Sequence, residues 1–77
     1  MITVLLFAHL QDEIGQRELK LAIKEVTVKD LKQTLTESYH LSQMETTMVA
    51  VNEEYALDHD VIRAGDVVAL IPPVSGG

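Results

Sequence analysis

The chain has 77 residues, of which 12 are acidic and 6 are basic, so its formal net charge at pH 7 is -6. This length supports one small domain, and a hydrophobic content of 47% is too high for intrinsic disorder. The lack of cysteine excludes a disulfide framework, a thiolate metal site and a cysteine nucleophile, and the acidic balance without a basic stripe argues against binding to nucleic acid or an anionic membrane.

The N-terminal segment is rich in β-forming residues. Residues 2–8 predict a strand whose even-numbered residues face the core, which leaves Leu5 and Phe7 on the opposite face. Residues 9–14 predict a short helical turn, ended by Gly15 in the left-handed conformation. The apolar run of the strand is too short to span a bilayer and has no basic flank, so we expect a cytoplasmic protein.

A second strand and a helix are predicted next. Residues 17–23 alternate between apolar and charged side chains, which indicates a half-buried strand that forms a hairpin with the first. Thr27 is placed to cap a helix, with Asp30 as a weaker form of the capping-box acid, and the helix is expected to end near His40. Its packing stripe is predicted to consist of Val28, Leu31, Leu35 and Tyr39.

The second half of the chain predicts short elements. They are, in order, a loop at 42–46, a strand at 47–51, a turn at 52–54, a very short strand at 55–57, an irregular segment at 58–63, a turn at 64–66 and a last strand at 67–71. In the last strand, Val68 and Leu70 are expected to face the helix, and Val67, Ala69 and Ile71 the other side. Pro72 ends the strand, because proline cannot donate to the ladder.

This order of elements indicates an α+β fold of the β-grasp, or ubiquitin-like, type. The first and last strands would pair in parallel in a mixed four- to five-stranded sheet, with one main helix packed on one face. We therefore expect a β-grasp domain at residues 1–71 and an extended C-terminal tail at residues 72–77.

The tail is the segment with the clearest chemical meaning. Pro72 and Pro73 stiffen its exit from the sheet, and six residues at about 3.3 Å each reach about 20 Å. Gly76 and Gly77 have no side chains, so this end can enter a slot too narrow for other residues. The carboxylate at its tip is suited to be a substrate inside another protein. The alternative is a frayed terminus or an expression scar.

Several segments resemble one known family. Residues 65–77, which end in Pro-Pro-Val-Ser-Gly-Gly, are similar to the end of the small, sulfur-carrier subunit of molybdopterin synthase. Residues 4–8, Gly15 and the Val-Ala-Val-Asn stretch at 49–52 also resemble that family at matching spacing. The paired prolines separate this ending from those of the thiamine sulfur carrier and of ubiquitin.

The resemblance implies a carrier that is not catalytic alone. It implies that an ATP-dependent activating enzyme adenylates Gly77, which becomes a thiocarboxylate, with Gly76 as its slim neighbour. The tail then enters the large synthase subunit and donates sulfur to a cyclic pyranopterin monophosphate, within a heterotetramer of two small and two large subunits. No cofactor is expected on this chain; since it has no glycine-rich phosphate loop, ATP would bind the activating enzyme.

A partner surface is predicted beside the tail. If the first and last strands are neighbours, Phe7 and Ile71 form an exposed apolar patch, which is typical of a protein interface. The alternative is that a loop or Tyr55 covers it. The predicted partner-binding residues are Leu5, Phe7, Tyr55, Ile71, Pro72, Pro73, Val74 and Ser75.

The remaining polar residues indicate neither a metal site nor a hydrolase active site. The run Asp58-His59-Asp60 has metal-ligand types, but a solvated turn is the more common origin of such a run, and no metal is expected. Ser42, Ser75 and Thr46 have no identifiable base, so a hydrolase triad is unsupported. The alternative functions are a sulfur carrier for thiamine or tRNA thiolation, a protein modifier, and a ubiquitin-like binding module without terminal chemistry.

Overall fold

The secondary structure is defined by a computed structural model that describes residues 1–7, 9–40 and 44–73. Its strands are β1 (Ile2–Leu6), β2 (Glu18–Leu21), β3 (Glu25–Thr27), β4 (Met48–Val51), β5 (Glu54–Ala56), β6 (Val61–Arg63) and β7 (Val67–Ile71). Its helical elements are α1 (His9–Ile14), α2 (Val28–Tyr39) and a 3₁₀ turn (Met44–Thr46). Within the described residues, no helix is long and apolar enough to cross a bilayer.

The first and last strands lie side by side in the middle of the main sheet. Within the described residues, this sheet has the strand order β2-β1-β7-β4-β5. The β1 and β7 strands pair in parallel, whereas the β1–β2, β4–β7 and β4–β5 pairs are antiparallel. The predicted hairpin and the predicted parallel pairing are both confirmed. Since β7 is central, its last residue, Ile71, lies beside the C-terminal end of β1 and the first residue of β4.

The core lies between one face of this sheet and α2. Alternate residues of β1 and β7 are almost completely buried, as period two requires. The α2 helix contributes Val28, Leu31 and Leu35, which are at most 1% exposed. Tyr39 was predicted on the same stripe, but it is 38% exposed because it lies in the last turn, past the edge of the packed region.

Both ends of α2 are closed by local hydrogen bonds. The Thr27 hydroxyl accepts from the backbone N–H of Asp30 at 3.2 Å, which confirms the predicted N-cap. The backbone N–H of Val28 donates to the carbonyl of Asp60 at 3.0 Å, so the loop before β6 also covers this end. His40 ends the helix in the left-handed conformation with φ of 54°, close to the predicted boundary.

A second, two-stranded sheet departs from the sequence prediction. The β3 and β6 strands pair antiparallel, with Val26 opposite Ile62, although residues 58–63 were predicted to be irregular. Each strand has only three residues, and the partners are far apart in sequence, so no local alternation indicates the pair. Ile62 is completely buried and extends the core beneath the start of α2.

The remaining differences concern element boundaries. The β2 strand ends at Leu21, so Ile23 is half-buried outside the strand instead of within it. The loop predicted at 42–46 includes a 3₁₀ turn at its end, where Met44 is buried, and residues 42–43 lie outside the described residues. The short strand predicted at 55–57 begins and ends one residue earlier.

The architecture confirms the predicted β-grasp class, with a five-stranded mixed sheet and α2 packed on one face. The β7 strand ends at Ile71, where the predicted domain ends. Beyond it, Pro72 is buried against the domain and Pro73 is exposed. Residues 74–77 lie outside the described residues, so the boundary between domain and extended tail stays a prediction.

Candidate partner-binding face and tail exit

The face of the main sheet opposite α2 carries a row of apolar residues across four strands. Leu5 in β1 pairs with Ala69 in β7, Ala69 pairs with Ala50 in β4, and Ala50 pairs with Tyr55 in β5. Two small alanines therefore lie between larger side chains. Tyr55, at the sheet edge, is 70% exposed.

A second row lies at the root of the tail, where β7 ends. Met48 pairs with Ile71, and Phe7 follows β1 directly beyond the pair that Leu6 forms with Leu70. Phe7 is 43% exposed and Met48 is 51% exposed, which is unusual for large apolar side chains. The predicted proximity of Phe7 and Ile71 is thus reproduced at the root of the tail.

These two rows and Val67 form one surface, here called the open-face patch. Its members are the exposed and half-buried residues of these rows, Leu5, Phe7, Met48, Tyr55, Val67, Ala69 and Ile71, while Ala50 of the first row is buried. Within the described part of the chain, no loop shields Phe7, and Tyr55 is itself exposed instead of covering the patch. A contiguous apolar surface of this kind is typical of a protein interface. Partner binding by Leu5, Phe7, Tyr55 and Ile71 stays a prediction.

Sequence reasoning missed two members of this patch. Met48 could not be assigned because nothing in the sequence states that β4 pairs with β7, which is the contact that brings Met48 beside Ile71. Val67 was predicted to lie on this face, but not to be part of the interface; it is 40% exposed. Alternation within each strand predicts which face a residue lies on. Only the strand order shows which residues on that face are neighbours.

The β4–β5 hairpin forms the rim of the patch. Val51 pairs with Glu54, so Asn52 and Glu53 are the two turn residues. Both have positive φ angles, of 51° and 72°, which is typical of a type I′ turn. Asparagine tolerates this conformation, whereas glutamate at the second position is uncommon, since glycine is favoured there.

A hydrogen-bond network fixes this hairpin to the start of β7. The Asn52 side-chain amide donates to one carboxylate oxygen of Asp66 at 3.1 Å, and the backbone N–H of Val67 donates to the Asn52 side-chain oxygen at 3.0 Å. The other Asp66 oxygen accepts from the backbone N–H of Arg63 at 2.8 Å. The backbone hydrogen bond from Arg63, followed by that from Asn52, lowers the pKa of Asp66 below 3.8. Asn52 therefore has a structural role.

A depression lies on the open face beside this turn. It has a volume of about 380 Å³ and is lined by Leu5, Asn52, Glu53, Val67 and Ala69. Its walls are largely apolar, because Leu5, Val67 and Ala69 supply most of the lining. Glu53 brings a carboxylate to this lining.

A larger groove lies on the helix side of the molecule. It has a volume of about 680 Å³ and runs along α2, and most of the residues that line it carry polar or charged groups. Lys32 and Asp58, both in this lining, are 3.9 Å apart, which is the outer limit of an ion pair. The lining includes neither Phe7 nor Ile71, so this groove is not part of the surface at the tail exit.

Two further polar residues, Asp60 and His9, lie outside the open-face patch. The carboxylate of Asp60 accepts from the backbone N–H of Leu57 at 2.8 Å, so it stabilises its own turn. The Nε2 atom of His9 is buried and has no hydrogen-bond partner among the described residues. No group of three or more His, Asp or Glu side chains within these residues is placed to hold a metal ion.

The root of the tail, Pro72 and Pro73, follows directly after the end of β7. Pro72, which was predicted to contact a partner, is buried in the domain, and Pro73 is exposed. The other predicted tail residues, Val74, Ser75, Gly76 and Gly77, lie outside the described residues. The apolar patch and the root of the tail are thus adjacent, since both include the end of β7.

These features define a small ubiquitin-like β-grasp protein with an open apolar sheet face. The chain belongs to the ThiS family, whose sequence profile matches residues 4–77. A relative from Dictyostelium discoideum, named molybdopterin synthase sulfur carrier subunit, is 39% identical over 80 residues, which cover 96% of this chain and 93% of the relative. The resemblance predicted from the sequence motifs is confirmed.

Solved structures support the same fold. The crystal structure of SAMP1 from Haloferax volcanii has a TM-score of 0.80 and 29% identity, and the match covers 99% of this chain and 98% of that chain. A protein–protein complex of subunits 1 and 2 of the molybdopterin-converting factor from Helicobacter pylori includes a chain with a TM-score of 0.68 and 24% identity. That match covers 99% of this chain and 97% of the other, and it bears on the fold alone.

Proposed function

We propose that this protein is a sulfur carrier for molybdopterin synthesis, with Gly77 as the residue that carries the sulfur. The observation that carries this proposal is the open-face patch beside the root of the Gly-Gly tail, in a ThiS-family chain. The name of the Dictyostelium relative supports the choice of molybdopterin as the product. The protein has no catalytic centre of its own in this proposal; it delivers a reactive group to other proteins.

The chemistry takes place at the carboxylate of Gly77. One carboxylate oxygen attacks the α-phosphorus of ATP, pyrophosphate leaves, and an acyl-adenylate forms. Hydrosulfide delivered by a donor then attacks the acyl carbon, AMP leaves with the bridging oxygen, and loss of the S–H proton yields the thiocarboxylate. Since the chain has no cysteine, its transferable sulfur is placed at this terminus. The activating enzyme binds ATP.

The open-face patch binds the large subunit and aims the tail into it. Phe7 and Ile71 lie at the root of the tail, so a partner that covers them receives the chain at a fixed position. Residues 72–77 span at most about 20 Å at about 3.3 Å each, which sets the distance to the partner's reaction site. The assembly is a heterotetramer in this proposal.

Intact-mass measurement tests whether the tail can be loaded. The protein is incubated with ATP, an activating enzyme and a sulfur donor, and the expected product gains the mass difference between sulfur and oxygen within its C-terminal peptide. A variant with one alanine added after Gly77 keeps the same domain and is the matched control. Loading of both chains, or of neither, would contradict the proposal.

A second candidate is a covalent protein modifier. The likeness to SAMP1, a small archaeal modifier protein, at 29% identity specifically favours it. A modifier would join the carboxyl carbon of Gly77 to a lysine amine and would leave an isopeptide, whereas a sulfur carrier returns as the free chain. Peptide mapping for a Gly-Gly remnant on lysine therefore separates the two functions.

A further inference from the structure

We propose that the depression on the open face is a binding site for a basic side chain, arginine or lysine, of the docking partner, with Glu53 as its counter-ion. This inference rests on the proposed docking of the sheet face to a large subunit and adds the residue chemistry that selects the partner. Its basis is the joint presence of an apolar lining, a carboxylate and a strained turn in one place.

The lining matches the two parts of a long basic side chain. Leu5, Val67 and Ala69 offer apolar surface to an alkyl stem, and Glu53 offers a carboxylate to the charged head. Lys and Arg bury their stems along apolar surface while their heads find a charged partner. A wholly apolar partner side chain would leave the carboxylate desolvated and unpaired, which opposes binding.

The other polar group of the lining is already engaged. The Asn52 side chain hydrogen-bonds to Asp66 and to the backbone of Val67, so it positions the turn. Glu53, by contrast, has no ion pair and no side-chain hydrogen bond among the described residues. Its carboxylate is therefore free to receive a partner's cation, and the net charge of -6 favours approach of a basic surface.

The backbone at Glu53 supports a functional role. Its φ of 72° lies in the left-handed region. Glutamate is strained in this conformation, whereas glycine, the favoured residue at the second position of a type I′ turn, is not. Non-glycine residues in this region concentrate at binding sites, where the side chain has a use. Glu53→Gly is consequently informative, because it removes the carboxylate and relieves the backbone strain in one change.

The experiment measures the affinity of the full chain for the large synthase subunit encoded in the same genome, at low and at moderate salt. Glu53→Gln and Glu53→Gly are each expected to weaken binding about tenfold at low salt and to reduce its salt dependence. The matched control is Glu54→Gln, on the neighbouring exposed residue outside the depression, which is expected to bind within about twofold of the unsubstituted chain. Glu53→Gly is also expected to raise the midpoint of thermal unfolding by a few degrees.

Each outcome has a defined meaning. If the unsubstituted chain does not bind the large subunit, the proposed function fails and this inference fails with it. If the unsubstituted chain binds, and both Glu53 variants bind as tightly as it does, the inference of a site for a basic side chain is wrong while the proposed function stands. If Ala69→Leu weakens binding but Glu53→Gln does not, the depression holds an apolar side chain, which also overturns the inference. Rescue of Glu53→Arg by one Arg→Glu or Lys→Glu change on the partner would identify the bound residue.

Discussion

The two faces of the main sheet are built from alternate residues of the same strands, yet they differ sharply in exposure. On the helix side, Val4, Val68 and Leu70 are completely buried. On the other side, Phe7 and Val67 are 43% and 40% exposed, although they are equally apolar. The buried face stabilises the fold through its packing against α2. The proposed function assigns the exposed face to partner binding.

The contrast between the two faces is tested first by a substitution on the buried face. Leu70→Ala removes a completely buried side chain from β7, and we expect it to lower the free energy of unfolding by about 3 kcal/mol. Urea denaturation measures this change. Ile71→Ala, the next residue on the opposite face, is the matched control, with an expected loss about half as large or less. Equal losses would mean that both faces are core.

The second test is a substitution on the open face. Phe7→Ala is expected to weaken binding to the large subunit about tenfold, because large aromatic side chains are enriched among interface residues whose truncation costs more than about 1 kcal/mol. Its effect on unfolding is expected to stay below about 1 kcal/mol, since the side chain is 43% exposed. Titration calorimetry and urea denaturation measure the two effects. A collapsed denaturation midpoint with unchanged affinity would reverse the assignment.

The third tests the helix that covers the core face. Thr27→Ala removes the hydroxyl that accepts from the backbone N–H of Asp30, and we expect a loss of about 1 kcal/mol in the free energy of unfolding. Affinity for the large subunit should not change, because Thr27 lies on the second sheet and not on the open-face patch. Thr27→Ser, which keeps the hydroxyl, is the control. A loss of the same size with serine would show that the cap is not the cause.

The smallest expected effect concerns the rim of the open face. The pKa of Asp66 is lower in the folded protein than its ordinary value of 3.8, because the carboxylate accepts hydrogen bonds from Arg63 and Asn52. Such a group stabilises the fold above the unfolded pKa, and its contribution is lost as the pH falls through the folded pKa. Stability should therefore fall below about pH 4, and less steeply in Asp66→Asn.

Urea denaturation at a series of acidic pH values measures this slope. Asp12→Asn, at an exposed position of α1, provides the comparison, since it removes one acidic group without touching the network. An unchanged slope in Asp66→Asn would mean that the network does not contribute to the pH dependence of stability.

Much of the fold could be predicted from the sequence because its main signals are local. The alternation in β1 and β7, the Thr27 cap and the helical stripe each follow from residues close together in the chain. The pairing of β3 with β6 could not be predicted, since it joins three-residue strands across a long separation. Phe7 and Ile71 were assigned to the site because the pairing of β1 with β7 was predicted. Met48 was missed because the pairing of β4 with β7 was not.

The depression beside Glu53 shows the same limit. Its lining combines residues from β1, β7 and the β4–β5 turn, and no single segment indicates that they meet. The turn was predicted at residues 52–54, but the left-handed conformation of Glu53 was not, because glutamate carries no preference for it. The tail differs from the depression, because the chemistry proposed for it follows from the sequence alone.

The most direct test of the proposed function is the fate of the sulfur in one turnover. Protein loaded as the thiocarboxylate is mixed with the large subunit and the cyclic pyranopterin monophosphate, and its intact mass is followed with time. We expect the chain to return to the free carboxylate only when both are present, while the pterin gains sulfur. A thiocarboxylate that persists under these conditions, or a chain that ends joined to a lysine, would contradict the sulfur-carrier function.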